Sequence, residues 1–224
     1  MAVALLARNQ SNLEKLRDDL RATVKNSIFH AFPTDTSPSS LQKTFKDISS
    51  HPDLKDLKLR LAIFHVKHSS KEPFMKTTPE AYGESLQQYA VGAFAFGQEA
   101  LRMMYDQNGG ETLLADTNGE KKGTIIFTGT LGALRTNPEF AAYGSGRASA
   151  RSIAQAMAKE VSKNGVHVVH TIANGGIRDE DNEETRTGKK MSAESVGETY
   201  LWLSSQKPAL WTHELDLRPA QEKF

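Results

Sequence analysis

The sequence predicts a doubly wound α/β fold, a parallel sheet with helices on both faces, and three observations predict it. Short apolar runs alternate with longer amphipathic ones along the chain. The runs at Gly123–Thr128 and Val166–Ile172 are close to continuously apolar, as strands buried on both faces must be. Three of the amphipathic runs open on a capping hydroxyl followed by a good first-turn residue: Ser37 before Pro38, Thr78 before Pro79 and Ser192 before Ala193.

Taken in order, Ala2–Ala7 reads as a strand and Ser11–Lys25 as a helix. Ile28–Phe32, Pro38–Ile48, Lys58–Phe64 and Pro79–Tyr105 continue the alternation. Asp106–Lys122 has no periodicity and contains Asn108-Gly109-Gly110 and Asn118-Gly119, the signature of a surface insertion. The strand at Gly123–Thr128 is followed by a helix over Phe140–Ser162. Its stripe of Ile153, Ala154, Met157, Ala158 and Val161 has the spacing of a core face. After the strand at Val166–Ile172 comes Asn174–Lys190, charged and longer than such connections usually are, at a strand's carboxyl end where lids over ligands sit. Ala193–Ser205 and Trp211–Asp216 close the pattern as helix and strand. Without repeats or low-complexity tracts, residues 1–224 are expected to form one domain.

Composition narrows the function. The 224 residues carry 28 basic and 27 acidic side chains without a long block of one sign, so neither a nucleic-acid nor a membrane-surface partner is expected. The sequence has no cysteine, which removes thiolate chemistry and disulfides and makes the cytoplasm the expected compartment. The opening apolar run is too short for a signal peptide core or a membrane span. Histidines look too scattered for a metal site: His167 and His170 lie three apart on a strand and so face opposite ways.

The strongest chemical signal is the placement of Thr130 at the end of a buried strand, Tyr143 thirteen residues later and Arg147 one helical turn beyond. A hydroxyl, a phenol and a cation so arranged form a proton-transfer constellation for a carbonyl or alcohol. Taken singly, each has an ordinary reading. Tyr143 and Arg147 also suit a surface stacking pair, Thr130 also suits a strand-end cap, and Thr128 and Ser145 compete with it for the substrate-facing role.

These residues, with the segments around them, resemble the short-chain dehydrogenase/reductase family. Val3–Asn9 with Leu13–Leu16 is similar to the second strand and following helix of that Rossmann-like fold, Pro73-Phe74 to the segment after its fourth strand, and Trp211–Pro219 to the carboxyl terminus of some members. The resemblance implies that Thr130, Tyr143 and Arg147 stand where the family has Ser or Thr, Tyr and Lys, with Tyr143 as general acid or base. It further implies NADP(H)-dependent reduction of a carbonyl, or oxidation of an alcohol, on a small-molecule substrate. Cofactor contacts would come from Arg8, Asp35, Tyr143, Arg147, Gly175, Gly176 and Ile177. Arg8 would read a ribose 2′-phosphate, Asp35 would lie near the adenine, and the two glycines with Ile177 would sit at the nicotinamide end. A homodimer or homotetramer is implied as well.

The sequence departs from the family pattern at several places. Arg147 replaces the lysine, Tyr89 stands at a family asparagine, and His65-Val66-Lys67 stands at an Asn-Ala-Gly. The family's first strand and glycine-rich turn, which receive the pyrophosphate, have no counterpart, so the chain reads as an amino-terminally shortened member. In the family strand order 3-2-1-4-5-6-7 the missing strand is central. Its neighbours, Ala2–Ala7 and Lys58–Phe64, would then either pair directly or leave a gap. Two rival expectations accompany the enzyme: a catalytically silent relative that binds ligands or regulates without a cofactor, and a longer natural product of which this is the recorded part.

Overall fold

The computed structural model describes residues 1–66 and 71–222, so Lys67 and His68 of the basic stretch after the third strand lie outside the described residues. The alternation runs β1 (Ala2–Ala7), α1 (Gln10–Thr23), β2 (Ile28–Pro33), α2 (Pro38–Ser50), β3 (Leu61–Phe64), α3 (Pro79–Leu86), α4 (Gly92–Asp106), β4 (Gly123–Gly129), α5 (Ala141–Val161) and β5 (Val166–Ala173). It closes with β6 (Ile177–Arg178), α6 (Glu183–Arg186), β7 (Met191–Ser192), α7 (Ala193–Ser205) and β8 (Glu214–Leu217). Every strand pairing is parallel, as the crossover helices require.

The doubly wound layering follows from the two faces of β4 and β5, all of whose residues are buried. Ile125, Phe127 and Val168 pack with Phe64, Phe96, Met104 and Ala154 in the larger core. Ile126 and Val169 turn the other way, against Tyr200 and Leu203 of α7. Burying each such aliphatic side chain is worth roughly 1.5–3 kcal/mol, and the polar residues among them, Thr124, Thr128, His167, His170 and Thr171, are buried as well. The stripe on α5 is used inside the molecule: Ala154, Ala158 and Val161 are buried, with Ile153 and Met157 packed beside them.

The sheet is divided. β2 and β1 form one ladder, from Ala2 opposite Ile28 to Ala7 opposite Pro33, while β3, β4, β5 and β8 form another in that order. Among the described residues no backbone hydrogen bond joins β1 to β3, so of the two outcomes the sequence left open the gap is the one realised. Its edges are incompletely covered: residues 2–6 of β1 are half-buried, and Ile63 of β3 is 40% exposed. Helix α2 bridges the two ladders. Leu41 and Phe45 are buried in the larger core, and the Phe45 ring meets Phe96 of α4 edge-on at 5.6 Å.

Local chemistry explains most departures from the sequence reading. Thr78 and Ser192 accept from the amides of Ala81 and Ser195, as caps should. Ser37 makes no cap bond; its hydroxyl donates instead to Asp35, which also accepts the Ser37 amide. The single helix expected over Pro79–Tyr105 is interrupted by a wide π turn at Gln87–Val91, which carries Tyr89 inward to full burial. Asn174–Lys190 is not irregular, because β6 pairs with β7 and α6 is closed by a reciprocal capping box between Asn182 and Thr185.

Candidate active site

The residues singled out from the sequence gather at the carboxyl ends of the parallel strands, where open α/β sheets bind ligands. Thr130 follows β4 directly and caps a 3-10 turn at Leu131–Ala133 through its own hydroxyl, 3.3 Å from the Gly132 amide. The same Oγ1 lies 2.8 Å from the Tyr143 hydroxyl, in the first turn of α5. Thr130 thus fills the role of strand-end cap and also meets the phenol. Its rival Thr128 faces the opposite layer, where its hydroxyl and that of Thr171 both lie 2.8 Å from the Tyr200 hydroxyl. Ser145 is not among the residues lining the cleft beside Tyr143, and its carbonyl accepts from Ser149 within α5.

The Thr130–Tyr143 pair opens on a cleft of about 280 Å³ lined by Leu131, Gly132, Arg135, Phe140, Asn174 and Gly175 among others. Arg135 is the one charged side chain among its lining residues. The Asn174 side-chain amide is buried there without a partner, a donor that an oxygen-bearing ligand would satisfy.

Arg147 is placed differently from the expectation. It is only 5% exposed, and its guanidinium donates to the carbonyl of Thr128 at 2.9 Å, to that of Val66 at 2.8 Å and to the Tyr89 hydroxyl at 3.1 Å. Its carbon lies 4.1 Å from the centre of the Tyr89 ring and 5.2 Å from that of Tyr143. Among the described residues no carboxylate pairs with it, so two aromatic faces and two carbonyl dipoles offset the burial of its charge. This guanidinium is turned inward, with its two terminal nitrogens each on a different carbonyl, Nη1 on Thr128 and Nη2 on Val66.

Tyr89, at the family asparagine position, was the part of this arrangement that sequence alone could not supply. A tyrosine at helical spacing reads as core, and only the π turn aims it at Arg147. Gly146 makes room for it: a Cβ there would come within 2.8 Å of the Tyr89 ring.

Arg8 and Asp35 end adjacent strands, joined by the Thr34 amide bonding to the Ala7 carbonyl at 3.0 Å. Both are exposed. Hydrogen bonds from Ser37, with a smaller contribution from the charge of Arg8, hold the Asp35 carboxyl below the usual carboxylate range. Gly175, at φ 137°, packs against Pro219, and the Gly176 carbonyl accepts the Met191 amide at 2.9 Å, so the chain bends at Gly175 beside the cleft and enters β6 at Ile177. Thr130, Tyr143 and Gly175 are therefore brought together, and Arg8 with Asp35 forms a second group beyond the gap in the sheet.

Comparison with known proteins bears on this arrangement. A family model described as short chain dehydrogenase matches residues 1–190. No curated protein matches. A short-chain dehydrogenase from Rhodopseudomonas palustris superposes with a TM-score of 0.75 at 24% identity, over 98% of this chain and 87% of the other. An NADPH-bound short chain oxidoreductase from Pseudomonas aeruginosa, described as containing an atypical catalytic center, gives 0.77 at 17% identity over 100% and 88%. An NAD+-bound xylitol dehydrogenase gives 0.78 at 15% identity over 98% and 88%.

Proposed function

The chain belongs to the short-chain dehydrogenase family, and on that premise we propose that it exchanges hydride between NADP(H) and the carbonyl or alcohol carbon of a small molecule, with Tyr143 moving the proton. The observation that carries this reading is the 2.8 Å contact between the Thr130 and Tyr143 hydroxyls at the mouth of a cleft. A carbonyl oxygen seated there would accept from both hydroxyls, the geometry general acid catalysis needs.

The residues present fit a dinucleotide at its two ends only. The bend at Gly175 offers close backbone approach in the cleft that Tyr143 also lines, and Arg8 offers a guanidinium for a 2′-phosphate, which favours NADP(H) over NAD(H). For the pyrophosphate, the described residues supply no glycine-rich turn: β1 leads through Arg8 and Asn9 directly into α1. When bound, the nicotinamide supplies or takes the hydride.

The chain's own residues carry the proton. In reduction, the Tyr143 hydroxyl gives its proton to the substrate oxygen while the Thr130 hydroxyl donates to the same oxygen and fixes its position. Charge developing on the phenol oxygen faces the Arg147 guanidinium across the ring. Arg147 is permanently charged and its donors are held by Thr128, Val66 and Tyr89, so it orients Tyr143 and relays no proton. Half-buried Tyr143 recovers its proton from water in the cleft.

The test is NADPH consumption over a panel of aldehydes and ketones, with NADH in parallel and thermal stabilisation by each cofactor as a second readout. Turnover faster with NADPH supports the reading. Absence of both turnover and stabilisation with either cofactor overturns it.

A further inference from the structure

We propose that His30, His51 and Asp53 form a site for a divalent transition metal, with zinc the best match. The sequence reading set the histidines aside as scattered, and indeed His30 lies in β2 while His51 and Asp53 follow α2. Folding brings them together. His30 Nε2 lies 3.0 Å from an Asp53 carboxylate oxygen, the His30 and His51 rings lie 3.9 Å apart between centres, and one ligand atom from each of the three falls within 4.8 Å of the others.

The separations are close to what a metal needs. Zinc bonds of about 2.0–2.2 Å in a tetrahedron put neighbouring ligand atoms roughly 3.3–3.5 Å apart. The His30–Asp53 contact opens by a few tenths of an ångström to admit an ion, which would replace the proton now shared between them. His51 must close in by more. The His51 ring accepts a long hydrogen bond at Nδ1 from the Asp53 amide, 3.2 Å, and that exposed amide can turn to water.

The surroundings suit a cation in three ways. His51 is the C-cap of α2, where carbonyl dipoles point outward and favour positive charge. The Phe32 ring packs edge-on against His51 at 5.9 Å and shelters the imidazoles, while Asp53, 56% exposed, leaves an entry path and room for a water as fourth ligand. Nearby Arg21, whose charge His30 feels, is held by the Phe29 carbonyl at 2.6 Å. Two imidazoles and one carboxylate select zinc, cobalt, nickel or copper over magnesium or calcium, which prefer all-oxygen sites.

The role is structural. β2 is an edge strand of the smaller ladder, and among the described residues that ladder has no backbone pairing to the rest of the sheet. A metal tying β2 to the end of α2 fastens the ladder to the helix that anchors it in the larger core.

The experiment titrates the full chain, freed of metal by a chelator, with Co²⁺ alone and then with Zn²⁺. The expected result is a one-to-one complex with the visible absorption of four-coordinate cobalt, its displacement by zinc, and a rise in Tm. His51→Gln and the exposed Asp53→Asn should each weaken cobalt binding at least tenfold. Absence of the absorption bands, or equal binding in the parent and both variants, overturns the proposal. Because no cofactor or substrate enters, its failure is distinct from failure of the proposed function.

Discussion

Arg147 and Tyr89 form a stacked, hydrogen-bonded pair in the interior: the guanidinium carbon sits 4.1 Å above the ring while Nη2 donates to the ring's own hydroxyl at 3.1 Å. The pair joins the carboxyl end of β4, the segment after β3 and the helical run around the π turn. Helix α5 is therefore fastened to β4 and to the segment after β3 through the Arg147 side chain.

Arg147→Lys should consequently cost stability. A lysine replaces the two separate guanidinium nitrogens, Nη1 on the Thr128 carbonyl and Nη2 on the Val66 carbonyl and the Tyr89 hydroxyl, by a single nitrogen, and loses the planar face that lies over the Tyr89 ring. Losing one or two charge-assisted bonds costs about 1.5–3 kcal/mol each. Urea unfolding should show a lower midpoint with an unchanged slope; equal midpoints would mean that the clamp contributes little.

Tyr143→Phe should lower turnover by about 10²–10⁴-fold, the usual worth of a positioned general acid. The half-buried ring is kept, so the melting temperature should stay close to the parent's. Retained turnover would assign the proton transfer to another group.

Arg8→Asp should reverse cofactor preference. A charge-assisted contact to phosphate is lost and a repulsion gained, so KM for NADPH should rise at least tenfold, on the order of 1.4 kcal/mol, while KM for NADH changes little. Equal effects on both cofactors would show that Arg8 does not meet the 2′-phosphate.

Acid should weaken the fold through His167. Burial pushes its imidazole down to about 4 from the ordinary 6.5; Nε2 donates to the Thr212 carbonyl at 2.8 Å, and Nδ1 is buried without a partner. Between those two values the unfolded chain binds the additional proton, so stability is unaffected above pH 6.5, falls as pH drops towards 4, and levels below that. The change attributable to this residue is at most about 3 kcal/mol. Unfolding free energy measured across this window should fall less steeply in His167→Gln. Part of the residual slope belongs to His170, His65 and His30, also held low by burial, and near its lower end to Glu214, held low by its bond to Arg151.

Ile63→Lys should reduce self-association. Ile63 presents an apolar side chain, 40% exposed, on a strand whose outer edge lacks a partner, and charge on such an edge opposes pairing between molecules. Sedimentation velocity should show less large material than the parent; an unchanged distribution would place association elsewhere.

Much of this was legible in the sequence. Ala2–Ala7 and Ala193–Ser205 have the bounds expected, because a continuous apolar run and a Ser192 cap are local signals. The Thr130–Tyr143 contact follows from strand and helix spacing once the fold is known. What sequence did not show depends on geometry between distant elements. The π turn that turns Tyr89 inward has no composition cue, the inward course of Arg147 follows from that tyrosine, and His30 meets His51 only because α2 doubles back along β2. Ser37 carries a genuine cap signal, yet Asp35 two residues earlier competes successfully for its hydroxyl.

The division of the sheet also sets how the molecule breathes. A strand paired on one side only leans on its helices for cooperativity, and β1 with α1 is tied to the larger core chiefly through α2. Amide protons of β1 and α1 should therefore exchange through a partial opening well below the energy of global unfolding, while those of β4 and β5 exchange only when the whole molecule opens. The cleft at Tyr143 belongs to the slow-exchanging half and the residues that would hold the adenosine end to the fast one. Closing a ligand across both would then be felt first as slower exchange in β1.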